Sequence, residues 1–451
     1  MPRLPRVLPI LAFVLALSAG PLGAQQFLTV PGWSHDVTPD GAVVVGWKPS
    51  GGWYWRWQLD PAPVEIGGLG AVAVSDDGTV IAGNIYDPTS GDQVAARWTA
   101  ETGWVGLGGF DTCTSTSTAY DITGDGKQIV GLAWVGCNAH GFRWTEGVGM
   151  ELLQSLADGS NRCSTIASDG SAMGGFAKAT WDRTPAVWAP DKTGVVWDPT
   201  TLGEVQGMNN DGSTQLGTRA FVNFSTAFLN SPSTGLVNLG SLQPNFASSS
   251  MAISEDGKTI VGFDWLGLAR KAWYYNAPTH TFTSMQAKLT SLGIPGVPHL
   301  DTANACSDSG RTIVGGGGTL AYIATLQAEA WKRLGGGLAG SNGTPVLYGT
   351  GTLAPASEAT LTLTHGKPFG SATLIVGLSG LNAPFKQGVL VPHPDKLVFG
   401  LPLNGDGRLH LEFDWPGGIP SGMSLWFQAW IADAAAPAGL SSSNGLQSTA
   451  P

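Results

Sequence analysis

Seven times between Val37 and Gly315 the chain returns to one local pattern, and that repetition constrains the fold more than any other feature. An apolar residue (Val37, Val74, Ile122, Ile166, Met208, Ile253, Cys306) is followed four positions later by a glycine: Gly41, Gly78, Gly126, Gly170, Gly212, Gly257 and Gly310. Five positions further on comes a second glycine: Gly46, Gly83, Gly131, Gly175, Gly217, Gly262 and Gly315. Six of the first glycines follow an aspartate (Asp40, Asp77, Asp125, Asp169, Asp211, Asp256), with Ser309 in the seventh. Asp-Gly is hairpin-turn chemistry, because glycine accepts positive φ and aspartate bonds nearby backbone amides. The flanking segments, such as Ala252-Ile253-Ser254 and Thr259-Ile260-Val261, are short and rich in β-branched residues, as strands require.

Each repeat then adds a third segment ending in an aromatic (Trp57, Trp98, Trp144, Trp188, Phe228, Trp273, Trp331). A fourth often closes on Leu-Gly, as at Leu107-Gly108 and Leu239-Gly240. Successive turn glycines lie 37, 48, 44, 42, 45 and 53 residues apart, the size of a propeller blade. One four-stranded sheet cannot bury both of its faces; sheets packed radially can, with the aromatics between them. The sequence therefore predicts an all-β chain with a seven-bladed β-propeller over residues 25–333. The segment Phe27-Leu28-Thr29-Val30 is an orphan strand that would complete the last blade and cover its edge.

These residues resemble the extracellular HAF-repeat proteins, whose repeat joins an Ile-Ser-x-Asp-Gly-x-x-Ile-Val-Gly hairpin to a His-Ala-Phe-Arg-Trp strand. Ile253-Ser254-Glu255-Asp256-Gly257 with Ile260-Val261-Gly262 fits the first part, and His140-Gly141-Phe142-Arg143-Trp144 the second with Gly for Ala. The other six repeats lack the histidine. The resemblance covers about Gln25 to Arg333; it implies export and a propeller-like fold, and it brings no established activity or ligand.

After a Gly-rich linker at 334–344 the repeat stops. Alternation takes over at Leu361/Leu363, Leu409/Leu411/Phe413 and Leu425/Phe427/Ala429, with a strong turn at Asn404-Gly405-Asp406-Gly407. Residues 345–451 are expected to form a small β-sandwich. They are similar, more loosely, to a C-terminal β module of exported bacterial proteins, which implies surface attachment or sorting, although neither a sortase-type motif nor an apolar tail is present.

Residues 1–24 read as a signal peptide: Arg3 and Arg6, the apolar run Val7 to Ala19, then Leu22-Gly23-Ala24 before Gln25. The expected address is secreted or periplasmic/extracellular, with no membrane insertion once the leader is removed. A formal charge of −10 without a basic block argues against nucleic acid. Cys113 and Cys137 fall in one repeat of an exported chain and are a disulfide candidate, while Cys306 occupies a core position. No Cys/His spacing suggests zinc, and the adjacent Asp-Gly pairs match neither a calcium loop nor an Asp box. No metal or cofactor is expected.

Several residues bear weighing as sites. Trp53-Tyr54-Trp55-Arg56-Trp57 invites stacking on a sugar, yet Trp53 and Trp55 share the face of a packing residue. Asp36 and Asp121 are equivalent inner-strand positions, where other repeats carry Ala, Thr or Gly. They would line a channel mouth, holding a cation, a hydroxylated ligand or simply water. His140 sits on a third strand or the loop before it. Gly-x-Ser-x-Gly, His-Glu-x-x-His and P-loop signatures are absent. The leading expectation is an exported, non-enzymatic binding or scaffold protein for glycan or protein ligands. The alternatives are a glycan hydrolase or lyase at the channel mouth, and a structural envelope or matrix component.

Overall fold

The computed structural model describes residues 25–110, 116–136, 138–179, 182–197, 201–220, 225–327 and 329–451. The leader at 1–24, Cys113 and Cys137 lie outside the described residues. The chain is nearly all-β, and it divides into two compact units, Gln25–Gln327 and Ala328–Pro451. No helix among the described residues is long and apolar enough to cross a membrane.

Among the described residues, the first unit is β-propeller-like and holds seven four-stranded antiparallel sheets. The third sheet illustrates the plan: Ser117–Ile122, Gln128–Val135, Asn138–Thr145 and Gly149–Leu152 pair in chain order. The turn at the first glycine joins the first two strands of every sheet, as Asp-Gly in six of them and as Ser309-Gly310 in the seventh. All seven turn glycines have φ between 66° and 77°, where a Cβ is unfavourable. Each of their N–H groups donates to the carbonyl three residues back, as Gly126 does to Thr123 at 2.8 Å. The aspartate carboxylate accepts the amide two residues ahead, for example Lys258 N–H on Asp256 at 3.0 Å. In the last repeat Ser309 Oγ accepts from Arg311 N–H instead.

The seventh sheet closes the unit. Its strands Thr302–Cys306, Thr312–Gly317 and Leu320–Thr325 come from the end of the unit. Its fourth, Gln26–Pro31, comes from the beginning, paired in register from Gln26 with Thr325 to Pro31 with Leu320. The N-terminal strand thus completes the last sheet, as its sequence suggested.

The aromatic pattern needs correction in two respects. The residues opposite the second glycines are Trp53, Ala96, Phe142, Ala186, Phe228, Trp273 and Tyr322. Trp98, Trp144 and Trp188 stand two places further along their strands, opposite Ile81, Ile129 and Met173, and Trp57 lies beyond its strand altogether. Trp331 is not in this unit: it begins the strand Trp331–Arg333, which pairs with Leu446–Thr449 of the second unit. The aromatics that do face the second glycine pack towards the preceding sheet. Trp53 meets Val314 and Ile323, and Phe142 meets Ala82 and Ala95.

In the second unit one sheet runs Trp331–Arg333, Leu446–Thr449, Ser424–Ala432, Ser371–Gly377 and Lys396–Pro402, with Leu440–Ser442 beside Ser424–Ala432. Another holds Val346–Thr350, Glu358–Thr364 and Leu409–Asp414. Leu361 and Leu363 of the latter share an apolar core with Trp331, Leu425, Phe427 and Leu446 of the former. The Gly-rich linker at 334–344 is hydrogen-bonded to this unit. Leu334 N–H donates to Gly445 at 2.7 Å, and Leu338 exchanges hydrogen bonds with Ser442.

Candidate functional site: the axial cavity

Each of the seven first strands carries a β-bulge at the same place, six residues before the turn glycine. The bulged residues are His35, Val72, Tyr120, Ser164, Gln206, Met251 and Asn304. A bulge crowds the strand against its neighbour, and the second glycine answers that crowding. A Cβ on Gly46, Gly83, Gly131, Gly175, Gly217, Gly262 or Gly315 would overlap the carbonyl oxygen of the residue two places ahead of the bulge. These oxygens belong to Trp33, Gly70, Thr118, Arg162, Glu204, Ser249 and Thr302. Only a residue without a side chain fits there.

The bulge also fixes which side chains face the axis. All seven bulged residues line one cavity of about 310 Å³, and so do Asp36, Ala73, Asp121, Thr165, Gly207, Ala252 and Ala305, which follow them. At the end nearest the Asp-Gly turns, main-chain bonds pass from sheet to sheet. Asp76 N–H donates to Gly124, Gly124 to Ser168, Asp169 to Asn210, Glu255 to Asp308, and Asp308 to Pro39 at 2.9 Å. Side chains bridge this end as well: Ser168 Oγ reaches Asp76 at 3.1 Å and Asn210 Nδ2 reaches Asp308 at 3.1 Å. At the starts of the inner strands Arg162 pairs with buried Glu204. Arg162 also donates to Ser164 Oγ and to Tyr120 OH.

Asp36 and Asp121 lie in the wall of this cavity, and each ties its own sheet to the next. Asp36 Oδ1 accepts Val37 N–H at 2.8 Å, and Oδ2 accepts Val74 N–H at 2.9 Å. Asp121 repeats the arrangement with Ile122 N–H at 2.8 Å, and with Ile166 N–H and Thr165 Oγ1 at 2.9 Å. Burial, followed by the neighbouring charge of Asp121, raises the Asp36 carboxyl from 3.8 to about 7 despite the two amides. Burial likewise raises Asp121 to about 6. His35 is depressed by burial to about 4, so its imidazole is neutral at ordinary pH.

The signs oppose one another. A carboxyl raised on folding adds stability that is full below its unfolded value near 3.8 and is lost as pH climbs through about 6 and 7. A histidine depressed on folding contributes above its unfolded value of 6.5 and loses that contribution as pH falls through about 4. Two carboxyls outweigh one imidazole, so the wild-type thermal midpoint is expected to be lower at pH 7.5 than these groups alone would set at pH 4. Asp36→Asn removes the larger contribution and flattens that profile, by up to about 4 kcal/mol across the window. Midpoints of both proteins measured from pH 4 to pH 8 check this; parallel profiles would refute it.

Trp53 and Trp55 are buried, at 1% and 8% exposure, so neither offers a face to a sugar. Trp55 Nε1 donates to the carbonyl of Asp60 within its own repeat. His140 is half-buried opposite Ala133 and is not among the residues lining the cavity. Asp36 and Asp121 are brought to one cavity. The sequence reading missed His35, Tyr120, Arg162, Ser164, Glu204, Gln206 and Asn304. The available signal was position: counting six or eight residues back from each turn glycine finds all seven.

No known family's sequence profile matches the chain, and no curated protein matches it. Among solved structures it is similar to TolB from Acinetobacter baumannii at 12% identity and a TM-score of 0.32, over 58% of this chain and 54% of that one. The chain thus spans about half the length of that structure. It is also similar to an oligogalacturonate lyase in complex with manganese (12% identity, TM-score 0.43, covering 68% and 98%). A third likeness is the β-propeller domain of the Trilobed protease from Pyrococcus furiosus (9% identity, TM-score 0.44, covering 63% and 91%). At these identities and scores the likenesses define neither blade count nor activity.

Proposed function

We propose that residues 25–327 form a seven-bladed propeller and residues 328–451 a small β-sandwich, in an exported, non-enzymatic binding protein whose ligand seats in the axial cavity. The export expectation rests on the leader at 1–24, and the HAF-repeat resemblance accords with it. One observation carries the non-enzymatic reading: all four carboxyl oxygens of Asp36 and Asp121 already accept main-chain amides, each Oδ1 that of the next residue and each Oδ2 that of the adjoining sheet. Glycoside cleavage needs one carboxyl free to give a proton and a second free to attack or to activate water. Wall-holding carboxylates serve a fixed, pre-formed pocket instead, and a volume of about 310 Å³ lies at the small end of ligand sites.

A second reading, hydrolase or lyase, draws on one fact: Asp36, raised to about 7, stands near enough to Asp121 to feel its charge, as a proton-sharing pair would. Glycan-array and pull-down binding by the mature protein, beside assays for cleaved glycan, separates the two. Binding is expected to fall at least tenfold in Tyr120→Ala and to persist in Tyr86→Ala, whose side chain is exposed. Release of product that disappears in Asp36→Asn would replace binding by catalysis. An unchanged signal in both tyrosine variants would remove the axial cavity from the account.

A further inference from the structure

We propose that the axial cavity selects a ligand bearing a positively charged nitrogen, an alkylammonium group carried either by a free amine or by a lysine side chain. The inference rests on the reading that the cavity is the ligand seat, and it adds the class of ligand. Arg162, the strong cation of the lining, is already committed: it is paired with Glu204, bonded to Ser164 and Tyr120, and set over the Tyr120 ring at 4.7 Å. Among the described residues, no basic side chain forms an ion pair with Asp36 or Asp121. Burying two like charges without a counter-charge is costly, and a cation between them relieves that cost.

The neutral groups nearby also favour a donor over an acceptor. Above about pH 4 the His35 imidazole is neutral and keeps a ring nitrogen as acceptor. Asn304 spends its amide nitrogen on the carbonyl of Ser34 at 2.8 Å, which leaves its carbonyl oxygen without a partner among the described residues. Gln206 is the exception, since its Oε1 already accepts from Ser249 Oγ and its amide nitrogen is left to donate. A metal ion suits the site less well. Among the described residues no three His, Cys, Asp or Glu side chains are grouped to hold one, and the carboxyl oxygens are dispersed along two strands. An ammonium needs only two or three acceptors, which the remaining lone pairs of the singly bonded Asp36 oxygens and of Asp121 Oδ1 supply without displacing their amides, and it fits a small cavity.

Isothermal titration of the whole mature chain with 1,5-diaminopentane, Nα-acetyl-lysine amide, 1,5-pentanediol and calcium chloride tests the class. At least one of the two amines is expected to bind at one per chain, and which of them binds more tightly identifies the source. The diol is expected to bind at least tenfold more weakly. Asp36→Asn and Asp121→Asn should each weaken the amine at least tenfold while melting cooperatively. Should either variant fail to fold, the wild-type protein still decides. Its amine affinity must drop at least tenfold from pH 8 to pH 5.5, as Asp36 and Asp121 take up protons among His35, Asp76, Arg162, Glu204 and Asp308. Equal binding of diol and amine, calcium binding without amine binding, or no amine binding at all overturns the inference. A glycan that binds in the cavity while both amines fail would sink the ligand class and leave the binding reading intact.

Discussion

Gly262→Ala is expected to cost at least about 3 kcal/mol, whereas Gly257→Ala, five residues earlier in the same repeat, costs only about 1–2 kcal/mol. The two glycines are required for different reasons. Gly257 has φ 69° with nothing within 4 Å of a would-be Cβ, so alanine there meets only backbone strain. Gly262 would drive its Cβ into the carbonyl oxygen of Ser249 and within 2.6 Å of the Trp273 ring. Neither neighbour can yield. The carbonyl is held by the bulged inner strand, and Trp273 is fully buried with Nε1 on Ser248 Oγ at 3.1 Å. Urea unfolding of the two variants beside wild type measures the difference. Equal costs would mean that the second glycine serves the turn and not the bulge.

Removing residues 25–31 is expected to be as damaging. The deletion strips the ladder from Leu320–Thr325, the stacking of Phe27 on Tyr322 at 6.0 Å, and the cover that Leu28 and Val30 give to Trp53, Val314 and Ile323. Six paired positions at roughly 1 kcal/mol per hydrogen bond, with two partly buried apolar side chains at about 1 kcal/mol each, put the gross loss on the order of 8 kcal/mol. It also leaves an unpaired edge open to other chains. The truncated protein should melt at a clearly lower temperature, or aggregate, and a synthetic peptide of residues 25–31 should restore the wild-type midpoint. A truncated protein that melts with the full chain, peptide absent, would show that the seventh sheet stands on three strands.

The turns and the period were legible because they rest on local chemistry: Asp-Gly needs only its own backbone. Closure by Phe27 to Val30 was legible because an apolar strand with no partner in its own repeat must find one elsewhere. The bulge was not. It is a fact of register, and it breaks the alternation by which neighbouring residues are assigned to opposite faces. His35 and Asp36, adjacent in sequence, therefore both line the cavity, where simple alternation would send one of them away. The same limit misled the aromatic pattern. Trp144 and Phe142 are both large and apolar, and only pairing with Gly131 distinguishes the one that fills the space beneath the bulge. Trp331 was misassigned because nothing between Leu326 and Trp331 marks the end of the repeats, and its strand partner lies more than a hundred residues downstream. Arg162 and Glu204 meet only because adjacent repeats stand side by side, which spacing within one repeat cannot show.

The seventh sheet joins residues 299 positions apart, Gln26 and Thr325. Whichever end of the unit leaves a ribosome or a translocation pore first must wait for the other, so the ring cannot lock while the chain is still in transit. The segment synthesised earliest is seated last, and assembly is thereby tied to completion of the polypeptide: a chain halted before residue 320 has no mate to offer its first strand.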